Sequence, residues 1–282
     1  MNSLPSISII IPSYNQGQFI EQTICSLLDQ EYPGLELIVV DGGSTDETLE
    51  IIKKYEHRLN YWVSEKDNGQ TEAIIKGFKK ATGDIINWLC SDDWLEQGSL
   101  LAIGKCFAQN PEWDIVHGDI KVANAAGVPF YHNRVGKINA LRLAAPWIKE
   151  YMPPQPAIFY KRKLYENCRG LDMSLHFAMD YDLWFQFVEK APFHYIPVLI
   201  GFQRFHQASK SCNANGFEKF EPEWKIVRNR YLNQAPVAFK IFIHLHFLIT
   251  VILRPFNSIY KMLYQRIAIR WRITKKQLLG KF

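Results

Sequence analysis

The sequence lacks the cysteine pattern of a disulfide-rich or zinc-binding protein. Its 282 residues include five cysteines, an odd number, and no C-x-x-C pair. The cysteines are scattered along the chain, at Cys25, Cys90, Cys106, Cys168 and Cys212. This spacing argues against a disulfide framework and against a zinc site, and it favours a reducing compartment.

Long apolar runs are missing as well. The strongly apolar stretch 241–253 has only 13 residues, whereas a helix needs ~20 to span a bilayer. At the N-terminus no basic region precedes an apolar core, and the first apolar stretch runs directly into Pro12. The sequence therefore predicts a strand at its start rather than a signal peptide.

Acidic residues are absent from the end of the chain. Residues 224–282 contain 12 lysines and arginines and no aspartate or glutamate. The rest of the chain therefore holds 21 basic and 28 acidic residues, a net charge of −7. A basic segment attached to an acidic domain indicates an anionic partner, either nucleic acid or a membrane surface.

The pattern within this basic segment favours the membrane. Lys240 and Arg254 flank the apolar stretch 241–253, and apolar and basic residues then recur near helical spacing. Basic and aromatic residues on an amphipathic helix suit the membrane interface. Positive charge on both sides of the stretch argues against a single crossing. We expect a monotopic anchor or a shallow hairpin. The alternative is a helical pair that packs on the catalytic domain or forms a homodimer.

The whole chain has the composition of a globular protein, 48% hydrophobic and 22% charged, and its length suffices for one domain with an appendage. Apolar β-branched runs alternate with helical patterns, which predicts a doubly wound sheet. The strands are expected near 6–12, 35–40, 61–63, 84–90, 114–122 and 193–202. The helices are expected near 20–30, after a cap at Ser44 or Thr45, and at 71–81 and 180–190. A loop-rich region is expected at 130–156, where prolines recur.

Three of the predicted strands end in polar residues. Asn15 follows the first strand, Asp41 ends the second, and Asp92 and Asp93 follow the strand 84–90. In open α/β sheets, ligands bind beyond the carboxyl ends of the strands. We therefore expect these four side chains to converge on one crevice, where paired carboxylates suit a divalent metal that holds a diphosphate.

Five segments in order give this chain a family resemblance. They read IIPSYN, VVDGGSTDET, EKDNGQ, ATGDIINWLCSDD and FAMDYDLW. With them, roughly residues 5–210 resemble a family 2 glycosyltransferase of the inverting, non-processive type. The resemblance implies an α/β GT-A-type fold, with a doubly wound, mostly parallel sheet flanked by helices. With the patterns along the chain, we expect a catalytic domain at 1–215 (nucleotide-binding part about 1–120, acceptor part about 121–215). A basic, apolar, helical, membrane-associating tail is expected at 216–282.

The resemblance also implies a metal site. Asp93 would bind Mn2+ or Mg2+, and Asp92 would lie near the ribose of the donor. His206 is a second candidate metal ligand, and Arg204 a candidate contact for the diphosphate. The alternative for the acidic pair is a helix cap, because a helix is expected to start near Trp94.

The nucleotide would lie against the first two strands. Asp41 resembles the residue of the family that recognises the base, and Pro12, Tyr14 and Asn15 would form the adjacent wall. Asp67, in its turn-forming loop, would approach the nucleotide. The alternatives are that Asp41 only terminates a strand, that Tyr14 is a buried core residue, and that the loop of Asp67 is an ordinary turn.

A later segment supplies the expected catalytic base. Asp180 and Asp182 match the family segment that takes the proton from the acceptor hydroxyl. We choose Asp180, with Asp182 as a cap or acceptor contact; the alternative is two acids that favour a helix N-terminus. His117 and Asp119 end another strand and are candidates for the acceptor side.

The sequence departs from the family at two places. Ile74 and Ile75 stand where many relatives carry Arg-Asn or Ile-Asn, so a polar contact is missing and the identity of the nucleotide is in doubt. Lys76 is a partial substitute, with a surface lysine as the favoured alternative. The Gln-x-x-Arg-Trp motif of processive members is absent.

Together these features predict an inverting glycosyltransferase that adds one sugar, preferably from a UDP-sugar, to a glycan or lipid-linked acceptor in surface polysaccharide synthesis. It would act at the cytoplasmic face of the cell membrane, with no nucleic-acid partner. The rival hypotheses are a sugar-nucleotide pyrophosphorylase and a non-catalytic, membrane-bound nucleotide-sugar sensor.

Overall fold

The computed structural model describes residues 3–145, 152–210 and 216–252. The chain forms two compact units, residues 1–228 and 229–282. Of the basic segment, residues 253–282 lie outside the described part, as do Pro146 and Cys212.

The first half of the chain alternates strands and helices, as predicted. Its strands are β1 (Ile7–Ser13), β2 (Leu35–Asp41), β3 (Tyr61–Ser64), β4 (Ile85–Trp88) and β5 (Trp94–Leu95). Its helices are α1 (Gly17–Leu28), α2 (Thr48–Tyr55), α3 (Gln70–Phe78) and α4 (Ser99–Gln109). A 3-10 turn at Glu56–Arg58 separates α2 from β3.

The second half adds four strands and five helices to the described structure. The strands are β6 (Ile115–Ala123), β7 (Pro129–Asn133), β8 (Ile158–Lys161) and β9 (Phe193–Arg204). The helices are α5 (Ala140–Leu143), α6 (Arg162–Glu166), α7 (Met179–Lys190), α8 (Gly216–Gln234) and α9 (Val237–Ile252).

These strands form one sheet in the order β3-β2-β1-β4-β8-β6-β9-β5, with β7 paired to β6. Strands β1 to β4, β6 and β9 run in one direction, and β5, β7 and β8 run against them. The strands are therefore mostly parallel, as predicted. The sheet is nevertheless mixed, because β8 inserts between β4 and β6 and is antiparallel to both.

Both faces of β1 are buried against helices. Ile9 and Ile11 belong to the same apolar core as Ile20 and Ile24 of α1. On the other face, a Cβ added to Gly77 of α3 would collide with the side chain of Ile10, so this helix approaches closely only because residue 77 has no side chain. Burial on both faces explains the continuous isoleucine run of β1.

An aromatic cluster holds α7 on the α3 side of the sheet. The rings of Trp88 and Trp184 stack with centroids 5.8 Å apart, and Tyr160 contacts the Trp184 ring edge-on. Phe187, one turn further along α7, packs on Tyr160 at 4.7 Å. These contacts fix the helix whose first turn carries Asp180.

The structure corrects three local predictions. Residues 130–156 are not simply loop, because β7 and α5 fall within them and β7 pairs with β6. The chain after Asp93 enters the short strand β5, and the helix expected near Trp94 begins only at Ser99. Helix α2 begins at Thr48, and Ser44 hydrogen-bonds Asp41 instead of capping that helix. In each case a long-range or side-chain contact outweighs local propensity.

Helix α9 carries an exposed apolar stripe. Val237, Ile241, Leu245 and Leu248 are 69%, 56%, 49% and 46% exposed and share one face of the helix. On the opposite face Ile243 is buried. Across the described residues, no helix combines the length and the apolar character that crossing a membrane requires.

Candidate active site

A cavity of about 840 Å³ lies at the carboxyl ends of the parallel strands. Its wall combines the ends of β1 and β4, the loops after β2 and β9, and the first turn of α7. Of the predicted site residues, the lining includes Pro12, Tyr14, Asp67, Asp92, Asp93, Asp180 and Arg204. The crevice expected from the strand ends is therefore present, although not every expected residue reaches it.

The loop after β4 holds the acidic pair. The Thr23 hydroxyl of α1 lies 2.9 Å from the carbonyl oxygen of Ser91 and 2.7 Å from that of Asp93. Asp93 is 4% exposed, and its Oδ1 accepts a hydrogen bond of 2.9 Å from the backbone N–H of Arg204. Burial, together with the neighbouring Asp92 carboxylate, raises the pKa of Asp93 well above its usual range.

This acidic loop fits a hard divalent cation. Ligand atoms of Cys90, Asp92 and Asp93 all lie within 4.8 Å of one another. Two carboxylates suit Mn2+ or Mg2+, which share such sites with phosphate oxygens. Burial raises the pKa of the Cys90 thiol well above its usual range, which disfavours the thiolate form that binds metals. A cation here would offset the repulsion between the two carboxylates.

His206 contacts the acidic loop through Asp92. Its Nε2 lies 2.9 Å from Oδ2 of Asp92, and its ring packs on Phe19 with centroids 4.5 Å apart. It therefore reaches the acidic pair through Asp92. The structure brings together the residues from which the metal site was predicted.

The Arg204 guanidinium is held by protein groups on several sides. Its Nε and Nη1 donate to the carbonyl oxygens of Asp92 and Ala125 at 2.9 and 2.8 Å, and Nη2 donates to Gln22. The side chain is also stacked between the rings of Phe19 and Trp94, at 4.7 and 4.6 Å. These contacts account for most of its donors. In this structure Arg204 supports the acidic loop. The prediction was that its guanidinium N–H groups would contact the diphosphate.

The predicted nucleotide wall is partly exposed to the cavity. Tyr14 is 59% exposed and lines the cavity beside Pro12, which excludes the alternative of a buried core tyrosine. Asn15 adopts the left-handed conformation (φ 51°), and its Oδ1 accepts the backbone N–H of Thr45 at 2.9 Å. Asn15 thus fixes the loop after β2, and it is not among the residues that line the cavity.

Asp41 and Asp67 are placed differently. Asp41 is fully buried, and its carboxylate accepts from the backbone N–H groups of Gly43 and Ser44 and from the hydroxyls of Ser44 and Ser64. It shapes the loop that forms the cavity wall and does not line the cavity itself. Asp67 does line it, and its Oδ1 accepts the N–H of Gly69 at 2.9 Å.

The two acids of α7 point to different surroundings. Asp180 lines the cavity, and burial raises its pKa to about 6. Asp182 is 1% exposed; its Oδ2 accepts from Gln186 Nε2 at 2.8 Å and lies 3.5 Å from Arg169. Of the two acids, Asp180 is therefore the one that faces the cavity.

Three further candidates lie away from the cavity. His117 is buried with a pKa lowered to about 4 by burial, and neither ring nitrogen has a hydrogen-bond partner within the described structure. Asp119 accepts from Tyr195 at 2.8 Å and lies 3.2 Å from His132. Lys76 pairs with two glutamates on the surface. None of the three lines the cavity, so the expectation of an acceptor-side role for His117 and Asp119 finds no support in this geometry.

Comparison with known proteins decides the family. Residues 8–169, more than half of the chain, match the model of Glycosyl transferase family 2. The chain belongs to this family. The family assignment made from the five sequence segments is therefore confirmed.

The relatives of this glycosyltransferase differ in length. An uncharacterized glycosyltransferase of Rickettsia bellii is 28% identical over 222 residues, which cover 76% of this chain and 32% of that protein. The chain thus spans about a third of the length of that relative. TuaG of Bacillus subtilis, named for teichuronic acid biosynthesis, is 40% identical over 95 residues, covering 33% of this chain and 38% of TuaG.

Two solved structures share the fold. Staphylococcus aureus TarS with UDP-GlcNAc has a TM-score of 0.63 at 20% identity, covering 86% of this chain and 71% of that one. The mannosyltransferase PcManGT of Pyrobaculum calidifontis, with GDP-Man and Mn2+, also has a TM-score of 0.63 at 17% identity, covering 99% and 89%. These matches support the GT-A-like fold, with helices flanking a mixed sheet.

One basic side chain that lines the cavity, Lys210, was not predicted from the sequence. Lys210 Nζ donates to Gln70 Oε1 at 2.9 Å and to the carbonyl oxygen of His176 at 3.1 Å, and burial lowers its pKa. Its position, four residues after His206, carries no motif. Lys210 reaches the cavity because the segment after β9 passes next to the start of α3 and the residues before α7.

Proposed function

We propose that this family 2 glycosyltransferase is an inverting, metal-dependent enzyme that moves one hexosyl group from a UDP-sugar to a glycan or lipid-linked acceptor. The observation that carries the proposal is that the acidic pair Asp92–Asp93 and the partly buried acid Asp180 line the same cavity. At about 840 Å³ this cavity is within the size range of small-molecule sites. The cavity thus offers both oxygen ligands and a proton acceptor.

Asp180 is the proposed general base. The acceptor hydroxyl oxygen forms a bond to the anomeric carbon while the bond from that carbon to the diphosphate breaks, and the hydroxyl proton passes to the Asp180 carboxylate. Attack on the face opposite the leaving diphosphate inverts the anomeric centre. A pKa of about 6 leaves Asp180 mostly ionised near neutral pH while bringing it closer to the value that favours base catalysis.

Asp93, with Asp92 and His206 beside it, is the proposed holder of Mn2+ or Mg2+. When bound, the cation offsets negative charge on the departing nucleoside diphosphate. The presence of Mn2+ in the structure of PcManGT supports this assignment. Arg204 and Thr23 keep the acidic loop in place from two sides.

Tyr14, Pro12 and Asp67 are proposed to contact the nucleotide, with Asn15 and Asp41 holding the loops behind them. UDP is the preferred nucleotide, supported by the UDP-GlcNAc bound to TarS, and GDP is the alternative, given the GDP-Man bound to PcManGT. The likeness to TuaG supports a role in surface polysaccharide synthesis.

The end of the chain is proposed to attach the enzyme to the cytoplasmic face of the membrane. The support is the exposed apolar stripe of α9 together with the absence of acidic residues from 224–282. Apolar burial and attraction to anionic lipid would then act together. The alternative is that the stripe is buried in a homodimer interface. Vesicle sedimentation separates membrane binding from dimerisation. No nucleic-acid partner is proposed.

The rival functions are less well supported. A pyrophosphorylase would carry basic residues in the loop after the first strand, and residues 13–17 include none. A non-catalytic sensor has no need for the partly buried acid Asp180 in its cavity.

A screen of nucleotide sugars tests the proposal. Purified protein is incubated with each donor and Mn2+, donor binding is read by thermal shift, and release of the nucleoside diphosphate is measured. We expect a UDP-sugar to raise the melting temperature and to yield UDP in a metal-dependent manner. If a donor binds but no nucleoside diphosphate is released with any member of a glycan acceptor panel, the sensor is favoured. If incubation with UTP and sugar phosphates releases pyrophosphate, the pyrophosphorylase is favoured.

A further inference from the structure

Glu223 of α8 binds the backbone just before α7. Its Oε1 accepts the N–H of His176 at 3.0 Å, and its Oε2 accepts those of Phe177 and Ala178 at 2.7 and 2.8 Å. Three consecutive backbone donors thus converge on one carboxylate. Such charge-assisted bonds are short and directional, so Glu223 fixes this segment more firmly than a neutral contact would.

Helix α7 has no side-chain acceptor at its N-cap position, because that residue is Ala178. Two residues later, Oδ1 of Asp180 accepts the N–H of Tyr181 at 2.7 Å in the first turn. Helix starts without a local cap are satisfied by other groups. Here the acceptor comes from a residue 45 positions further along the chain, and a ring contact between Phe177 and Phe220 at 5.1 Å supports the same junction.

Two charged groups act on Asp180 across this junction. The negative charge of Glu223 raises the pKa of Asp180 and the positive charge of Lys210 lowers it, both as smaller effects beside burial. Lys210 also donates to the carbonyl oxygen of His176, whose N–H is bound by Glu223. The segment before α7 is therefore held from both sides by opposite charges.

From this geometry we infer that Glu223 is the positioning residue for the catalytic base: it anchors the backbone at 176–178, where the chain enters α7, and so sets the direction of Asp180 toward the acceptor. The inference rests on the proposed function, because it takes Asp180 as the base. Glu223 acts through the backbone of 176–178 and is not among the residues that line the cavity.

Glu223→Gln tests this inference, because it keeps an acceptor for Phe177 and Ala178 while turning an N–H toward that of His176. Glu221→Gln is the matched control, since Glu221 is exposed on the same helix and pairs only with Lys225 at 2.8 Å among the ion pairs of the described residues. Five quantities are compared: kcat, donor KM, the pH profile, the pKa of Asp180 by carboxyl 13C NMR, and amide exchange at 176–178.

We expect Glu223→Gln to lower kcat by at least ~10-fold with donor KM within about twofold, because misplacing a catalytic group costs rate rather than binding. The Asp180 pKa should move to lower values, since a negative neighbour has been removed. Amide exchange at 176–178 should accelerate, and Glu221→Gln should match the wild type throughout.

Equal kcat, pH profile and amide exchange in the two glutamine variants would overturn the inference. Loss of UDP affinity in parallel with kcat would also overturn it, since that pattern indicates general disruption. The NMR and exchange measurements need no turnover, so failure of the proposed function, seen as an inactive wild type, is distinguishable from failure of the positioning role.

Discussion

The backbone N–H of Arg204 donates a hydrogen bond of 2.9 Å to Oδ1 of Asp93. This bond joins the end of β9 to the acidic loop after β4, two segments 111 residues apart in sequence. The Arg204 side chain then returns to the same loop through the carbonyl oxygen of Asp92. The position of the acidic pair therefore depends on β9 as well as on β4, the strand that precedes the pair.

Arg204→Ala should destabilise the protein by about 2–4 kcal/mol, because the carbonyl oxygens of Asp92 and Ala125 lose a buried, charged donor. Urea unfolding measures this, with the exposed Lys105→Ala as control. Mn2+-dependent UDP affinity should fall as well, because the acidic loop loses its support. If Arg204 instead contacts the diphosphate, Arg204→Ala would weaken UDP binding with unchanged stability.

The rate should depend on the ionisation of Asp180. A base must be deprotonated to act, so kcat/KM should be low below its pKa and rise with pH through about 6. A pH–rate profile checks this. Asp180→Asn should lower kcat by ~10²–10⁴-fold and remove the ascending limb.

Asp182→Asn serves as the comparison for this experiment. Because Asp182 faces Gln186 and Arg169 and not the cavity, we expect the limb near pH 6 to persist in this variant. An Asp180→Asn enzyme with near wild-type turnover would transfer the role of base to another residue.

Tyr14 offers an exposed ring to the cavity and is proposed to contact the nucleotide. Tyr14→Ala should weaken UDP binding by about 1–3 kcal/mol, the range for a base stacked on an aromatic side chain. Tyr14→Phe keeps the ring and should bind UDP within a few tenths of a kcal/mol of the wild type. Calorimetry in the presence of Mn2+ measures both. Equal affinity of the alanine variant and the wild type would remove Tyr14 from the nucleotide site.

The exposed stripe of α9 should mediate membrane binding. Ile241→Glu combined with Leu245→Glu places charge in the apolar face, so the protein should no longer sediment with anionic vesicles. Leu101→Glu, at an exposed leucine of α4, is the matched control and should still sediment. Wild-type binding should weaken with salt without vanishing, because the apolar contribution is not screened.

Deletion of residues 236–282 extends this test. The truncated protein should stay in solution with vesicles and still bind UDP, because the cavity-lining residues within the described structure all precede that segment. The stripe would be identified as a dimer interface if the wild type self-associates and does not bind vesicles, while the double variant no longer self-associates. Unfolding of the truncated protein would show that the segment belongs to the core.

The sequence predicted the parts of the fold that local patterns determine. The isoleucine run of β1 and the polar residues after β1, β2 and β4 were enough to place the sheet and its crevice. The antiparallel strand β8 was missed, because Ile158–Lys161 is short and its place between β4 and β6 depends on partners far along the chain. The same reason explains the missed strand β5, which forms only by pairing with β9.

The candidate site was predictable in residue type and less so in geometry. Asp93 and Asp180 reach the cavity as expected, since their motifs lie at a strand end and a helix start. Asp41 and Arg204 were expected to touch the donor, yet both are occupied by protein groups that sequence spacing does not reveal. Lys210 and Glu223 carry no motif, so only the folded chain brings them to the site.

The central claim is that Asp93 holds the metal through which the donor binds. The most direct measurement is calorimetric titration of UDP into wild type and Asp93→Asn, each with and without Mn2+. Asparagine keeps an oxygen to accept the N–H of Arg204 and removes only the charge, so the loop should persist. We predict that Mn2+ strengthens UDP binding by the wild type at least ~10-fold and has no effect on binding by the variant. An equal gain from Mn2+ in both proteins would contradict the account.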